Sequence, residues 1–244
     1  MNTVKIQKGS TRMIAHRGMS GLELENTCPA FVAAGNRSHW GIETDVHKTA
    51  DGRFVVIHDD TTGSVSAQNI SVEGSDFDTL RSIPLKQKDG ATRIDLRIPS
   101  LEEYLDICKH YGKIAVLELK DLADGEETVR QIVDICRERY GLENMVFIAF
   151  RFQNLEFVKK AAPEACCQYL LHRDIDLLER TDLVEKMLAL GVDVDIAHQA
   201  LTQKHIEYLH EKGIKVNCWT VDDPQRAQEL ISWGIDYITS NILE

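Results

Sequence analysis

Short β-rich runs alternate with longer amphipathic runs along the whole chain, and this alternation constrains the fold more than any other feature. Eight strand candidates can be counted: Met13–Ala15, Gly41–Val46, Ile114–Leu119, Met145–Phe150, Cys166–Leu171, Val192–Ile196, Ile214–Trp219 and Asp236–Thr239. The stretches between them carry helical signals. Ser100 precedes Leu101–His110 with Glu103 three residues on, which is a capping box. Thr202–Lys212 sets Ile206 and Leu209 on one face and ends at Gly213, and Pro224–Trp233 follows Asp222 and Asp223 and ends at Gly234. Both glycines sit where a left-handed C-cap is expected. Strand–helix alternation makes a parallel sheet with helices outside. Eight units in 244 residues fit an α/β chain closed as a (β/α)8 TIM barrel, although periodicity alone also admits an open sheet. Residues 1–244 read as one domain. The segment Asp60–Arg97 breaks the pattern. It is polar and rich in Ser, Thr and Asp, and reads as an insert at about residues 60–97, after strand 2, lying over one face of the barrel.

A ninth strand candidate, Phe54–Ile57, falls outside the eightfold count. Asp51-Gly52 before it is a strong two-residue hairpin signal. With those two residues as the turn, Ala50 pairs with Arg53 and Asp45 sits opposite His58. The second barrel strand then runs past the rim and folds back, which carries His58 to the mouth.

The formal net charge is -11, from 39 acidic and 28 basic residues. Such a chain is a poor partner for nucleic acid or an anionic membrane surface, yet it can take a small anionic substrate where local cations offset the field. No apolar stretch of signal-peptide length precedes residue 16 and none of transmembrane length occurs, so the expectation is a cytoplasmic protein without stable membrane association. The cysteines, Cys28, Cys108, Cys136, Cys166, Cys167 and Cys218, form no C-x-x-C pair and no zinc spacing, and are expected as reduced, mostly buried thiols.

Barrel enzymes place their working groups at the C-terminal ends of the strands. Here those ends carry His16 and Arg17, then Glu43 and Asp45, then Glu118 and Lys120, with His58 joining through the hairpin. Glu43 and Asp45 are two apart on a strand and so share a face. Carboxylates converging in a barrel mouth repel unless they share a proton or a cation. An oxygen-only set suits a hard cation such as Mg²⁺ or Ca²⁺; the alternative is salt bridges from Arg17 or Lys120. Two imidazoles at one mouth can divide acid and base work, and Arg17 and Lys120 could hold phosphate oxygens. Trp219, at the end of the seventh strand, either walls a substrate pocket or fills the barrel top. His110, His205 and His210 lie in helical stretches and are expected at the surface. His39, His47, His172 and His198 are expected to be solvated or locally bonded.

The residues also match a known family. His16-Arg17-Gly18, Glu25-Asn26-Thr27 with Ala30-Phe31, Glu43-Thr44-Asp45-Val46, Thr49-Ala50-Asp51-Gly52, Val55-Val56-Ile57-His58-Asp59, Ile98-Pro99-Ser100-Leu101-Glu102-Glu103, Leu117-Glu118-Leu119-Lys120 and Trp219-Thr220-Val221 make a set that is highly specific together. The chain resembles the glycerophosphodiester phosphodiesterases, which in turn resemble the catalytic barrels of phosphoinositide phospholipases C. The resemblance implies Glu43, Asp45 and Glu118 as ligands of one divalent cation, Mg²⁺ or Ca²⁺. It implies His16 and His58 as the acid–base pair, Arg17 and Lys120 as phosphate ligands, and Asp59 as an orienting group. It implies hydrolysis of a small glycerophosphodiester to an alcohol and glycerol 3-phosphate, through a cyclic 1,2-phosphate. Two stretches depart from the family pattern, Asp60-Thr61-Thr62-Gly63-Ser64 and Thr239-Ser240-Asn241; both are expected to line the mouth without touching the metal or histidine set. Rival readings are a lysophospholipase D or phospholipase C, which would need apolar surface at the mouth, a non-catalytic sensor barrel, and a metal-dependent aldolase. The apolar residues of the insert, Val65, Ile70, Val72, Phe77 and Leu80, are scattered among polar ones, which favours a small soluble headgroup.

Overall fold

A computed structural model describes residues 2–86, 90–93, 95–120 and 125–244. In chain order the elements are β1 (Arg12–Ala15), α1 (Cys28–Gly35), β2 (Gly41–Lys48), β3 (Phe54–Val56), α2 (Phe77–Ser82), β4 (Leu85–Lys86), β5 (Thr92–Arg93), α3 (Leu101–Tyr111), β6 (Ile114–Leu119), α4 (Gly125–Arg139), β7 (Met145–Ala149), α5 (Phe152–Ala161), β8 (Cys166–Leu171), α6 (Thr181–Leu190), β9 (Asp193–Ala197), α7 (Gln203–Glu211), β10 (Val216–Trp219), α8 (Pro224–Ser232) and β11 (Tyr237–Ser240). Eight parallel strands run β1, β2, β6, β7, β8, β9, β10, β11, and pairing of β1 with both β2 and β11 closes the ring. The eight expected barrel strands are all present, each within two residues of its expected ends.

Strand periodicity of two divides the apolar residues between two layers. Met13, Ala15, Ile42, Leu117, Phe147, Cys167, Val194, Val216 and Ile238 face the helices in one large core. Their alternates, Ile14, Val116, Val146, Ile148, Leu170 and Tyr237, fill the barrel interior. The same parity fixes which polar residues point inward near the mouth. At the helix ends, Ser100 and Glu103 form the expected reciprocal capping box, and Gly213 and Gly234 adopt the expected left-handed backbone.

The insert is more regular than its composition suggests. It holds α2 and the two-stranded β4–β5 ribbon, and its apolar residues Val65, Val72, Phe77, Leu80, Ile83 and Leu85 bury one another with Val55, Ile57, Leu96 and Ile98 in a separate small core. They are therefore spent on holding the insert together and give no apolar rim. Residues 87–89 and 94 of the expected insert lie outside the described residues.

The hairpin returns as expected but with a register shifted by one. Val46 pairs with Val56, His47 with Val55 and Lys48 with Phe54, and Thr49 N–H donates to Arg53 O at 2.8 Å. The loop thus contains Ala50, Asp51 and Gly52, with Gly52 at φ +81°. The reason is that Asp51 is engaged elsewhere. Its carboxylate accepts from the Thr49 hydroxyl (2.6 Å) and from the Phe77 N–H that opens α2 (3.0 Å). Ile57, not His58, sits opposite Asp45 (Ile57 N to Asp45 O, 3.1 Å). Among the described residues, no helix is long and apolar enough to cross a membrane.

Candidate active site

The site begins where β1 leaves the barrel. Arg17 and Gly18 both have positive φ, +52° and +73°. A Cβ on Gly18 would lie 2.7 Å from the Ala30 carbonyl carbon, so the turn after His16 needs glycine on both counts. The turn aims two backbone N–H groups at Glu43: Arg17 N donates to its carboxylate (2.7 Å) and Gly18 N to its carbonyl (3.1 Å).

Glu43 and Asp45 on β2 and Glu118 on β6 point into the mouth, and one carboxylate oxygen from each lies within 4.8 Å of the others, all three residues being buried. Asp45 Oδ2 accepts from Asn26 Nδ2 (2.8 Å), and the Asn26 Oδ1 accepts from the Thr44 hydroxyl (2.6 Å), which fixes the carboxylate in place. Lys120 Nζ stands 2.8 Å from Asp45 Oδ1 and 2.7 Å from Glu118, an ion pair to each. Arg17 Nε is 3.8 Å from Asp45, with no hydrogen bond of its own, while Arg17 NH1 donates to Glu25 (2.8 Å). The carboxylates thus form a cluster with a cationic side chain at each flank, the salt-bridge alternative, and the same cluster could hold a metal ion. Electrostatics follow from the crowding. Burial and the Asp45 charge push Glu43 well above the usual carboxylate range and Glu118 up to about 7. Burial also works against Asp45, but Lys120, Arg17 and His58 more than offset it and hold its carboxyl low. Three buried carboxylates meet two flanking cations and so are short of positive charge, and an oxygen-only donor set fits a hard divalent cation.

Both histidines reach the same cavity. His16 Nδ1 lies 2.8 Å from Asn241 Oδ1. Asn241 is itself oriented, since its Nδ2 donates to Asp222 (2.6 Å) and its backbone N–H to the other Asp222 oxygen (2.8 Å). The amide oxygen therefore faces His16, whose Nδ1 carries the hydrogen, leaving Nε2 as an acceptor. Burial, then the Arg17 charge, lowers the His16 pKa. His58 Nδ1 lies 2.6 Å from Asp59, so its Nε2 is likewise left for the cavity. Asn241 belongs to the departing stretch Thr239-Ser240-Asn241, which was expected to stay clear of the histidines; it touches one directly because β11 pairs beside β1.

The cavity has a volume of about 320 Å³ and is lined by His16, Arg17, Glu43, His58 and Glu118 on one side and by Ile148, Phe150, Leu170, His172, Asp195, Trp219 and Thr239 on the other. Trp219 both walls the cavity and packs edge-on to Phe150, with ring centroids 5.7 Å apart. His172 stacks on Phe150 at 4.4 Å. His172, expected as solvated or locally bonded, is exposed, and strand parity, counted through Gln168 and Leu170, places it at the cavity rim. His205, expected at the surface, is buried instead, with its ring bonded to Thr202 and to Asp176.

Residues 16–243 match the sequence profile of the glycerophosphoryl diester phosphodiesterase family. A glycerophosphodiester phosphodiesterase of Caldanaerobacter subterraneus subsp. tengcongensis is 29% identical over 238 residues, covering 95% of this chain and 94% of that protein. Among solved structures, a glycerophosphodiester phosphodiesterase from Parabacteroides distasonis is 26% identical with a TM-score of 0.74, over 96% of this chain and 94% of that one. A phosphodiesterase of Oleispira antarctica, solved in complex with the product sn-glycerol-3-phosphate, superposes with a TM-score of 0.85 over 98% of this chain and 96% of that one; at 23% identity this is a likeness of fold.

Proposed function

The chain belongs to the glycerophosphoryl diester phosphodiesterase family, and from that premise we propose that it hydrolyses small glycerophosphodiesters to an alcohol and glycerol 3-phosphate by two-histidine acid–base catalysis at a divalent-metal site. Glu43, Asp45 and Glu118 would hold one cation, Mg²⁺ or Ca²⁺, and the single observation that carries the reading is their convergence beside His16 and His58 in one cavity. A cation held there would supply positive charge to the phosphate and lower the pKa of a hydroxyl close to it.

The chain's own groups do the rest. Arg17 and Lys120 flank the carboxylates and hold the remaining phosphate oxygens, neutralising charge as it develops. His16, neutral and with Nε2 free, removes the proton from the glycerol hydroxyl next to the ester. That oxygen attacks phosphorus, the bond to the leaving alcohol breaks, and His58 protonates the departing oxygen. Water then opens the cyclic 1,2-phosphate with the two histidines exchanging roles. Asp59 and Asn241 keep the imidazoles in the working tautomer. The small headgroup is favoured over a lipid because the apolar residues of the insert are consumed in its own core.

The test is release of glycerol 3-phosphate from glycerophosphocholine and glycerophosphoethanolamine, with lysophosphatidylcholine as the competing substrate. Activity is expected with Mg²⁺ or Ca²⁺ and lost on dialysis against EDTA, and His16→Ala and His58→Ala should each lose about 10²–10⁴-fold. Full turnover in metal-free protein, or near-normal turnover by either variant, would refute the mechanism. Equal turnover of a diester with no adjacent hydroxyl would refute the cyclic route.

A further inference from the structure

Among the described residues, Asp195 is the one acidic group lining the cavity that the reaction above leaves without a task. It lies on β9, which the ring order places across the barrel from β2 and its two carboxylates. The outward residues Val194 and Ile196 belong to the helix-facing core, so parity turns Asp195 inward, where it lines the cavity. It is 1% exposed, and its Oδ1 is buried without a hydrogen-bond partner. The polar groups around it are occupied with one another: Asn217 donates to Gln168 (2.9 Å), and Thr239 donates to Asn217 (3.3 Å). Buried polar atoms are nearly always paired, and leaving one unpaired is costly. A carboxyl group kept unpaired against a cavity is the signature of a site whose partner arrives with the ligand.

The shape of the reaction says which part of the ligand that is. With phosphate held on the β1, β2 and β6 side, one ester arm must run inward toward β9 and the other must leave by the mouth. The alcohol arm departs, whereas the glycerol arm stays attached through the cyclic phosphate and the product. The enclosed arm is therefore glycerol. Its hydroxyl next to the ester is taken by the reaction, and Arg17, Lys120 and the histidines already have tasks at the phosphate, which leaves the terminal hydroxyl to the far wall. The rest of the far wall, Ile148, Phe150, Leu170 and Trp219, offers carbon surface suited to the glycerol CH₂ groups.

We propose that Asp195 is a specificity-determining residue, which hydrogen-bonds the terminal hydroxyl of the substrate's glycerol and makes the enzyme select glycerol over diols that lack it; this rests on the function proposed above. Burial, and then the Glu118 charge, raise the Asp195 pKa well above the carboxylate range, and a neutral carboxyl can both give and take a hydrogen bond with a hydroxyl.

The experiment compares glycerophosphoethanolamine with the 2-hydroxypropyl diester of phosphoethanolamine. The second keeps the reacting hydroxyl and lacks the terminal one. Wild type should prefer the glycerol substrate in kcat/KM by roughly 10–100-fold, the scale of one buried hydrogen bond. In Asp195→Ala that preference should collapse toward unity, with the 2-hydroxypropyl diester turned over as by wild type, and Asp195→Asn should keep part of it. Melting temperature is read for each variant, and calorimetric binding of glycerol 3-phosphate against its analogue without the terminal hydroxyl gives the same ratio without turnover. Equal wild-type handling of the two substrates, or an Asp195→Ala loss that is the same on both, overturns the assignment. Loss of Mg²⁺ affinity in Asp195→Asn would make Asp195 part of the cation site and would overturn it too. Failure of wild type to hydrolyse either diester instead refutes the proposed function, and an undiscriminating binding ratio would then refute the glycerol assignment separately.

Discussion

A single hydrogen bond, from His16 Nδ1 to Asn241 Oδ1 (2.8 Å), decides which imidazole nitrogen faces the cavity. Asn241→Ala should therefore reduce kcat with little change in KM, by about 10–100-fold if it matches the loss seen when partners that orient metal-bound histidines are removed. A similar loss carried wholly in KM would assign Asn241 to substrate binding instead. The groups legible in the sequence were those whose meaning is local: His16 beside Arg17 and Gly18, Glu43 two residues before Asp45, Glu118 two before Lys120. Asn241 was not legible because its partner is 225 residues away in the chain, and no spacing rule spans that distance. Asp195 lay in an alternation with Val192, Val194 and Ile196 that made it inward-facing, but nothing local distinguishes a working carboxyl from one neutralised by burial.

At the scale of elements, two glycines with similar backbone angles have different duties. Gly52 closes the hairpin at φ +81° in open space, whereas Gly18 at φ +73° has Ala30 against it. Gly52→Ala should cost about 1 kcal/mol from backbone conformation alone, with activity unchanged. Gly18→Ala adds steric conflict with backbone and should cost about 2–4 kcal/mol. It should also depress activity, because Gly18 N–H bonds the Glu43 carbonyl. Paired melting curves and turnover measurements separate the two, and equal losses would remove the steric argument. The hairpin also shows how element-level reading goes astray. Asp51-Gly52 marked the turn correctly, but the contact of Asp51 with Phe77 N–H, made by a helix 26 residues on, added a third residue to the loop. The strand still returned His58 to the cavity, since its place there depends on β3 running back along β2.

For the whole molecule, the sensitive seam is where the ends of the barrel meet. His39, between α1 and β2, is 1% exposed and its Nε2 lies 2.9 Å from the Leu243 carbonyl, with Nδ1 left unpaired. Burial lowers its pKa from 6.5 to about 4. The unfolded chain then takes up a proton below about pH 6.5 that the folded chain refuses until about pH 4, so stability from this group is complete above 6.5 and is lost as pH falls through that window. The loss reaches about 2 kcal/mol by pH 5. His39→Gln keeps an N–H for Leu243 and has nothing to titrate, so its melting temperature should fall less than that of wild type between pH 7 and 5; parallel falls would clear His39 of the effect. Eight strand–helix units were legible from their alternation, which also admitted an open sheet; closure itself rests on β1 pairing with both β2 and β11, and the seam joins residues that only closure brings together. That closure has a consequence for the site. All three carboxylates and both imidazoles precede β11 in the chain, but the His16 ring meets Asn241 only where β11 lies beside β1. Pairing of β11 with β1 thus does two things at once: it closes the ring and it fixes the His16 ring.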